Sequence, residues 1–135
     1  MDLRREKFQK SERLCSKKII SALFDEGNIF YLPFYKIVWS KNSVKIPFPA
    51  QAAFSVTKKG FRNAVTRNLL KRRIKEAYRK NKHILYDYLV SENIQVVFII
   101  IFRENYVPEY QSVEKSVKEM LVKFTNVISG NDKNC

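Results

Sequence analysis

The residues of this sequence that could do chemistry are mostly cations. Between residues 58 and 82 lies a dense run of lysine and arginine in which Glu76 is the only acid. Its basic members are Lys58, Lys59, Arg62, Arg67, Lys71, Arg72, Arg73, Lys75, Arg79, Lys80 and Lys82. Ion pairs within one helix cannot neutralise so many charges with one carboxylate. The run therefore predicts a surface that binds a polyanion.

The same run has the spacing of a helix with two distinct sides. An apolar stripe that could pack on a sheet is formed by Val65, Leu69 or Leu70, Ile74 and Ala77. Polar residues recur at intervals of three and four on another face, which we call the basic ridge: Arg67, Asn68, Lys71, Arg72, Lys75 and Arg79. Arginine can chelate two phosphate oxygens, lysine acts as a point charge, and an amide can reach a sugar hydroxyl or a base edge. We expect the ridge, preceded by Lys58, Lys59 and Arg62, to suit the phosphate-lined surface of a folded RNA.

Groups that could catalyse hydrolysis are sparse. His83 is the only histidine and is not part of a cluster of Cys, His and carboxylate residues. A lone histidine of this kind is expected at a surface or a helix end. The carboxylates at Asp25, Glu26 and Glu76 lack the spacing of a two-metal site. The sequence predicts no catalytic residue, and no metal ligand can be assigned from it.

The overall composition narrows the class of protein. The 135 residues suffice for one domain with one core, and 45% of them are hydrophobic. The chain carries 26 Lys and Arg against 13 Asp and Glu, a formal charge of +13. Charge alone would suit an anionic membrane surface as well as a nucleic acid. Two distant cysteines, Cys15 and Cys135, and the lack of a signal peptide or membrane-length apolar run favour a cytoplasmic protein with no membrane association.

The elements that would position the basic helix follow from periodicity. Residues 1–15 are predicted to be a loosely ordered basic arm, followed by a helix with Ser16 as N-cap and Gly27 as a left-handed terminator. Strands are predicted over residues 29–40, 50–57 and 94–102, and helices over residues 63–82, with a continuation at 84–89, and 110–128. Residues 129–135 would be a flexible tail. The order helix, strands, helix, strand, helix predicts an α+β fold, a two-layer αβ sandwich forming one domain over residues 1–135.

One segment resembles the signature of the bacterial ribonuclease P protein family. That family has a Ser- or Ala-Lys-Lys strand end, a short turn, and then Ala-Val-x-Arg-Asn-x-x-Lys-Arg-x-x-Arg-Glu. This sequence has Thr57-Lys58-Lys59 and then Ala64-Val65-Thr66-Arg67-Asn68-Leu69-Leu70-Lys71-Arg72-Arg73-Ile74-Lys75-Glu76. Lys75 stands where the family has an arginine, and Ile20 stands where its first helix usually has an aromatic residue. The resemblance extends over roughly residues 12–125.

The resemblance implies a fold and a function. The fold would contain a left-handed βαβ crossover, and the protein would be the subunit of an endoribonuclease whose catalysis belongs to its RNA. The basic ridge would bind that ribonuclease P RNA, with magnesium held mainly by the RNA and no obligate protein partner. A cleft between the first helix and the sheet would bind the 5′ leader of precursor tRNA. The candidates for this cleft are Phe24 and Tyr35, either of which could instead be a core residue, with charge from Arg13, Lys36 and Lys58.

Three other functions are compatible with parts of this pattern. A ribosomal or RNA-chaperone protein would share the size, the charge and the basic helix, but it need not have Arg67-Asn68-x-x-Lys71-Arg72 directly after Lys58-Lys59. A DNA-binding module would need a second short helix before the basic one, which the sequence lacks. A membrane-surface helix would need a broad apolar face beyond that used in packing. Of these, the ribosomal or chaperone function is the principal alternative.

Overall fold

A computed structural model describes residues 7–41 and 46–130 of the chain. It contains a four-stranded sheet and four α-helices. The strands are β1 Asn28–Tyr31, β2 Tyr35–Lys41, β3 Ala50–Val56 and β4 Val96–Phe102. The helices are α1 Lys17–Glu26, α2 Ala64–Asn81, α3 His83–Glu92 and α4 Tyr110–Ser129. This is the predicted α+β class, with the helices and strands in the expected order.

The sheet has the order β1-β2-β4-β3. β2 runs antiparallel to β1 and to β4, while β3 and β4 are parallel neighbours joined through α2 and α3. β4 is apolar throughout and buried over nearly its whole length, as is typical of a central strand. The left-handed sense of the β3-to-β4 connection remains a prediction.

The predicted strand over residues 29–40 is in fact a hairpin. Leu32 and Tyr35 exchange backbone hydrogen bonds of 2.9 and 3.2 Å across a two-residue loop at Pro33 and Phe34. Proline has a fixed φ and no N–H, so it suits a turn and interrupts a ladder. The prediction of one strand was wrong because β-rich sequence on both sides concealed this turn.

The main core lies between one sheet face and helices α2, α3 and α4. Helix α4 turns one face to the sheet, with Val113, Val117, Met120, Leu121 and Phe124 buried. The Phe124 ring lies 4.9 Å from that of Phe98 on β4 and 5.5 Å from that of Trp39 on β2. Edge-to-face aromatic packing of this kind fixes the helix on the sheet.

A smaller core lies on the opposite sheet face, under α1. It contains Leu14, Leu23, Val38, Val97 and Ile99. As predicted, Ser16 caps α1, its Oγ accepting a hydrogen bond from the Ile19 amide at 3.2 Å.

Gly27 ends α1, but not in the predicted left-handed conformation. Its φ is −67° and its ψ is 158°, which is extended backbone. A Cβ at this position would lie 2.5 Å from the Leu23 carbonyl oxygen and 2.8 Å from Val38 Cγ1. Glycine is needed here because α1 approaches β2 closely, not because of its dihedral angles.

Residues 7–15 are not the loosely ordered arm that was predicted. Lys10–Glu12 form a 3₁₀ turn, and Arg13 makes a parallel bridge to Ala52 on the edge strand β3. Glu12 is buried against Lys82, with Lys82 Nζ and Glu12 Oε2 2.5 Å apart. The rest of the predicted arm, residues 1–6, and most of the predicted tail, residues 131–135, lie outside the described residues, while Ser129 ends α4.

Candidate nucleic-acid interface

Helix α2 turns one side to the core and the other to solvent. Asn63 caps it, its side-chain oxygen accepting a hydrogen bond from the Val65 amide at 2.8 Å. The buried positions are Leu70, Ile74, Ala77, Tyr78 and Asn81. Val65, which was predicted to belong to the apolar stripe, is 75% exposed. It precedes Ile74 by nine residues and therefore lies about half a turn out of phase with it.

Most of the basic ridge lies together on the outer side of α2. At about 100° per residue, five residues lie roughly 60° to 160° around the axis from Ile74. In order around the helix they are Lys71, Lys75, Asn68, Arg79 and Arg72. Within residues 7–41 and 46–130, no carboxylate forms an ion pair with Lys71, Arg72 or Lys75. These three charges are therefore available to a polyanion.

Arg67 occupies a different position from the rest of the ridge. It lies only about 20° from Ile74, on the inner side of the helix. Its Nη1 donates hydrogen bonds to the carbonyl oxygens of Phe61 and Arg62, at 2.8 and 3.0 Å. Arg67 therefore holds the turn before α2 in place, and its placement on the outer ridge was wrong.

Arg79 is on the ridge, but its guanidinium is engaged within the helix. Its Nε and Nη2 donate to the two carboxylate oxygens of Glu76 at 3.0 and 2.8 Å. The hydrogen bond from Arg79 holds the pKa of the Glu76 carboxyl below its usual value, and the charges of Arg79 and Lys80 add to this. Glu76 thus offsets part of the positive charge at this end of α2.

Arg13 lies on the α2 side of β3 and not in the cleft beside α1. Its Cζ is 5.7 Å from the centre of the Phe8 ring, which packs edge-to-face on Tyr78 of α2. The pKa of Lys75 is lowered by partial burial and then by the nearby charges of Arg13 and Lys71. Three like charges are thus grouped across two segments distant in sequence. The assignment of Arg13 to the leader cleft is corrected, because its side chain extends the basic ridge toward the edge of the sheet.

The turn between β3 and α2 adds three exposed cations, Lys58, Lys59 and Arg62. The turn is closed by the Phe61 amide, which donates to the Thr57 carbonyl at 3.3 Å, and the Phe61 side chain is buried in the main core. A Cβ at Gly60 would lie 3.2 Å from the Glu104 carbonyl oxygen, so the turn packs closely on the loop after β4. The turn is therefore anchored at both ends with its charged side chains outward.

The cleft candidates on the α1 side are only partly brought together. Lys36 is half-buried on the sheet face that α1 partly covers, and Phe24 on α1 is 58% exposed. Tyr35 is fully buried in the main core on the opposite face, where its hydroxyl hydrogen-bonds the Ser116 hydroxyl at 2.8 Å. Burial raises the pKa of Tyr35 to about 12. Because consecutive strand residues face opposite sides, Tyr35 and Lys36 cannot both line one cleft, and Tyr35 is removed from it.

The sequence did not point to two residues of this face, Tyr31 and Arg103. Tyr31 is 44% exposed on β1, and the Arg103 Cζ lies 4.8 Å from the centre of its ring. The signal that could have found Tyr31 was Pro33, since a turn there ends a separate strand in which Ile29 and Tyr31 share a face.

No group of three or more His, Cys, Asp and Glu side chains within the described ranges is arranged to hold a metal ion. His83 is exposed at the start of α3. None of the helices in these ranges is long and apolar enough to cross a membrane.

These features define a small, basic α+β protein with a dense cluster of cations on one helix, on the turn before it and on the edge of the sheet beside it. The family model for ribonuclease P matches residues 8–125. The ribonuclease P protein component of Porphyromonas gingivalis strain ATCC 33277 is 35% identical over 126 residues, covering 93% of this chain and 92% of the relative. That of Chlorobium phaeobacteroides is 40% identical over 81 residues, covering 58% and 56% of the two chains.

Solved structures of the same kind share the fold. The Staphylococcus aureus ribonuclease P protein has a TM-score of 0.68 and 21% identity, covering 87% of this chain and 98% of that one. The Thermotoga maritima protein has a TM-score of 0.66 and 20% identity, covering 83% and 96%. The chain belongs to the ribonuclease P protein family. It is accordingly classified as the protein subunit of an endoribonuclease that processes tRNA.

Proposed function

We propose that the chain binds ribonuclease P RNA through α2 and the turn before it, and binds the 5′ leader of precursor tRNA on the sheet face beside α1. The observation that carries the first part is the group of unpaired cations at Arg13, Lys71, Arg72 and Lys75. Helix α2 holds the last three at fixed spacing and the bridge to Ala52 holds Arg13 beside them, so phosphates of a folded RNA can be bound without first ordering these segments. Lys58, Lys59 and Arg62 would extend this contact.

The second part rests on the other sheet face. Lys36 supplies a cation on a surface that also has apolar and aromatic side chains, and Phe24 is exposed on the adjacent helix. Unpaired bases stack on apolar and aromatic surfaces while a cation neutralises their phosphates, with little dependence on sequence. A precursor tRNA has a leader and the product has none, so this face would favour the substrate over the product.

The protein's contribution would be binding and charge screening. Magnesium is the cofactor expected for the holoenzyme, and the described residues do not suit it, because no carboxylate cluster is present among them and the exposed helix is cationic. We assign the metal, and with it the hydrolysis that releases the mature 5′ end, to the RNA. Positive charge from the protein would reduce repulsion between the catalytic RNA and the tRNA and so lower the magnesium concentration that the reaction needs. The exposed free thiol of Cys15 is in keeping with a reducing, cytoplasmic setting.

Reconstitution tests this function. The purified protein is mixed at low magnesium with a bacterial ribonuclease P RNA and precursor tRNA, with protein alone and RNA alone as controls. We expect release of the leader to be fastest in the mixture and absent with protein alone. Cleavage by the protein alone would mean that it contains an active site. Tight RNA binding with no enhancement of cleavage would instead support the ribosomal or chaperone alternative.

A further inference from the structure

Part of the sheet face beside α1 is left uncovered by that helix. One row of cross-strand neighbours on this face runs Tyr31, Lys36, Ile101 and Ser55, from β1 to β3. Four strands at about 4.8 Å spacing make such a row about 14 Å long. The next row contains Ile29, Val38, Ile99 and Ala53.

Helix α1 crosses the sheet over this second row. The segment leading into α1 is held at β3, where the Leu14 amide donates to the Ala52 carbonyl at 2.9 Å. The other end of the helix, at Gly27, packs against Val38 on β2. A cavity of about 200 Å³ separates one flank of α1 from Ser40 and Lys41, beyond the second row. The other flank, with Ile20 and Phe24, therefore faces the first row. An open channel results, with α1 as one wall and Lys36 in its floor.

Tyr31 stands at the β1 end of this channel and is held in place. Arg103, which follows β4, has its Cζ 4.8 Å from the centre of the Tyr31 ring, and its Nη1 donates to the Leu32 carbonyl at 3.2 Å. Lys123 of α4 donates to the Tyr31 carbonyl at 3.0 Å. These contacts fix Arg103 over one face of the Tyr31 ring and hold the backbone of residues 31 and 32 in place. Tyr31 itself is still 44% exposed.

We infer that Tyr31 and Arg103 form a base-stacking site for the precursor tRNA leader, next to the phosphate-binding charge of Lys36. Tyrosine and guanidinium planes are the surfaces on which unpaired bases stack in RNA-binding proteins. The occupant is single-stranded RNA because the exposed aromatic surface lies between two cations, Lys36 and Arg103, and continues the proposed leader cleft. The inference rests on the proposed function and adds to it the aromatic platform that Tyr35 cannot provide.

Stacking on a π-face is tolerant of base identity, so the site would read the presence of a leader nucleotide and not its sequence. It lies one strand beyond Lys36, at the end of the channel. Its contribution should therefore appear only with leaders long enough to reach β1.

The test measures dissociation constants of the reconstituted holoenzyme for mature tRNA and for precursors with leaders of increasing length. The variants are Tyr31→Ala, Tyr31→Phe and, as a matched control, Tyr106→Ala. Tyr106 is also an exposed tyrosine, but its ring packs on Phe34 on the other side of the sheet. Thermal unfolding of each variant reports whether its fold is intact.

We expect Tyr31→Ala to weaken binding of long-leader precursor by about fivefold or more, the lower end of the range for base stacking. Binding of mature tRNA should be unchanged, Tyr31→Phe should restore most of the loss, and Tyr106→Ala should behave as wild type. Equal affinities of Tyr31→Ala and wild type for every leader would overturn the inference while leaving the proposed function standing. An equal loss of affinity for mature tRNA would also overturn the inference, because mature tRNA has no leader and the loss would then come from a change in the protein structure. If the wild-type holoenzyme itself fails to distinguish precursor from mature tRNA, the leader-binding part of the proposed function fails first.

Discussion

Arg67 and Arg72 lie five residues apart on α2 but differ in what their side chains contact. Arg67 donates to two backbone carbonyls and stabilises the turn that presents Lys58 and Lys59. Arg72 is exposed on the outer side, with no partner among the described residues. Replacing Arg67 would therefore disturb the turn as well as remove a charge. Arg72 is the clearer probe of phosphate binding.

We predict that Arg72→Ala weakens binding to ribonuclease P RNA and lowers the slope of log affinity against log salt by about one. The reason is that one fewer phosphate is neutralised and fewer counterions are released. Lys118→Ala, which removes an exposed charge from α4, is the control and should leave the slope unchanged. A titration series from low to moderate salt measures both. Identical slopes for the two variants would show that Arg72 makes no phosphate contact.

At the scale of elements, the close contact between α1 and β2 fixes the position of α1, one wall of the proposed leader cleft. A methyl group at residue 27 would overlap the Leu23 carbonyl and the Val38 side chain. We predict that Gly27→Ala lowers the free energy of unfolding by about 1–3 kcal/mol, the usual cost of overpacking. Urea unfolding measures it, with Ser21→Ala on the exposed side of α1 as control. A Gly27→Ala variant as stable as wild type would mean that α1 can move away from the sheet at little cost.

Local sequence pattern was sufficient for α2, α4 and β4, because the two helices have a sustained helical period and β4 is a continuous apolar run. The helical period of α2 also placed the cations Lys71, Arg72 and Lys75 together on its outer side, where Arg72 is exposed and the two lysines are half-buried. Local pattern failed where position depends on the phase of a short element, as at the Pro33 turn, which put Tyr35 in the core and Tyr31 on the open face. It also failed at Arg13, because the place of that side chain is set by a pairing with Ala52 that no local pattern reveals.

At the scale of the whole molecule, a buried ion pair joins the first described segment to the junction of α2 and α3. Lys82 Nζ donates to Glu12 Oε2 and to the Lys7 carbonyl, and the Tyr86 hydroxyl donates to Glu12 Oε2 at 2.5 Å. Glu12 Oε1 also accepts from the Gln9 amide at 2.9 Å. Lys82 is therefore a structural residue, although the sequence grouped it with the exposed cations. Because Arg13 follows Glu12, the pair also keeps that arginine beside Lys71 and Lys75.

We predict that Glu12→Gln lowers the free energy of unfolding by about 3–5 kcal/mol, since it leaves the buried ammonium of Lys82 without a countercharge. Adding Lys82→Met should recover part of this loss, because no unpaired charge then remains. Equilibrium urea unfolding provides the comparison, with Glu119→Gln on the exposed face of α4 as control. A cost for Glu12→Gln below about 1 kcal/mol, the range of an exposed pair, would contradict this role.

The central place of β4 has a consequence for synthesis on the ribosome. β2 and β3 are synthesised before β4, and they do not pair with each other. Their shared neighbour is β4, residues 96–102, which lies between them in the sheet. Until β4 is made, the nascent chain exposes two unpaired apolar strand edges, the kind of template that promotes association between chains. The sheet can therefore close only after about three quarters of the protein has been translated. A pause in translation before β4 would lengthen this vulnerable interval, whereas one after β4 would not.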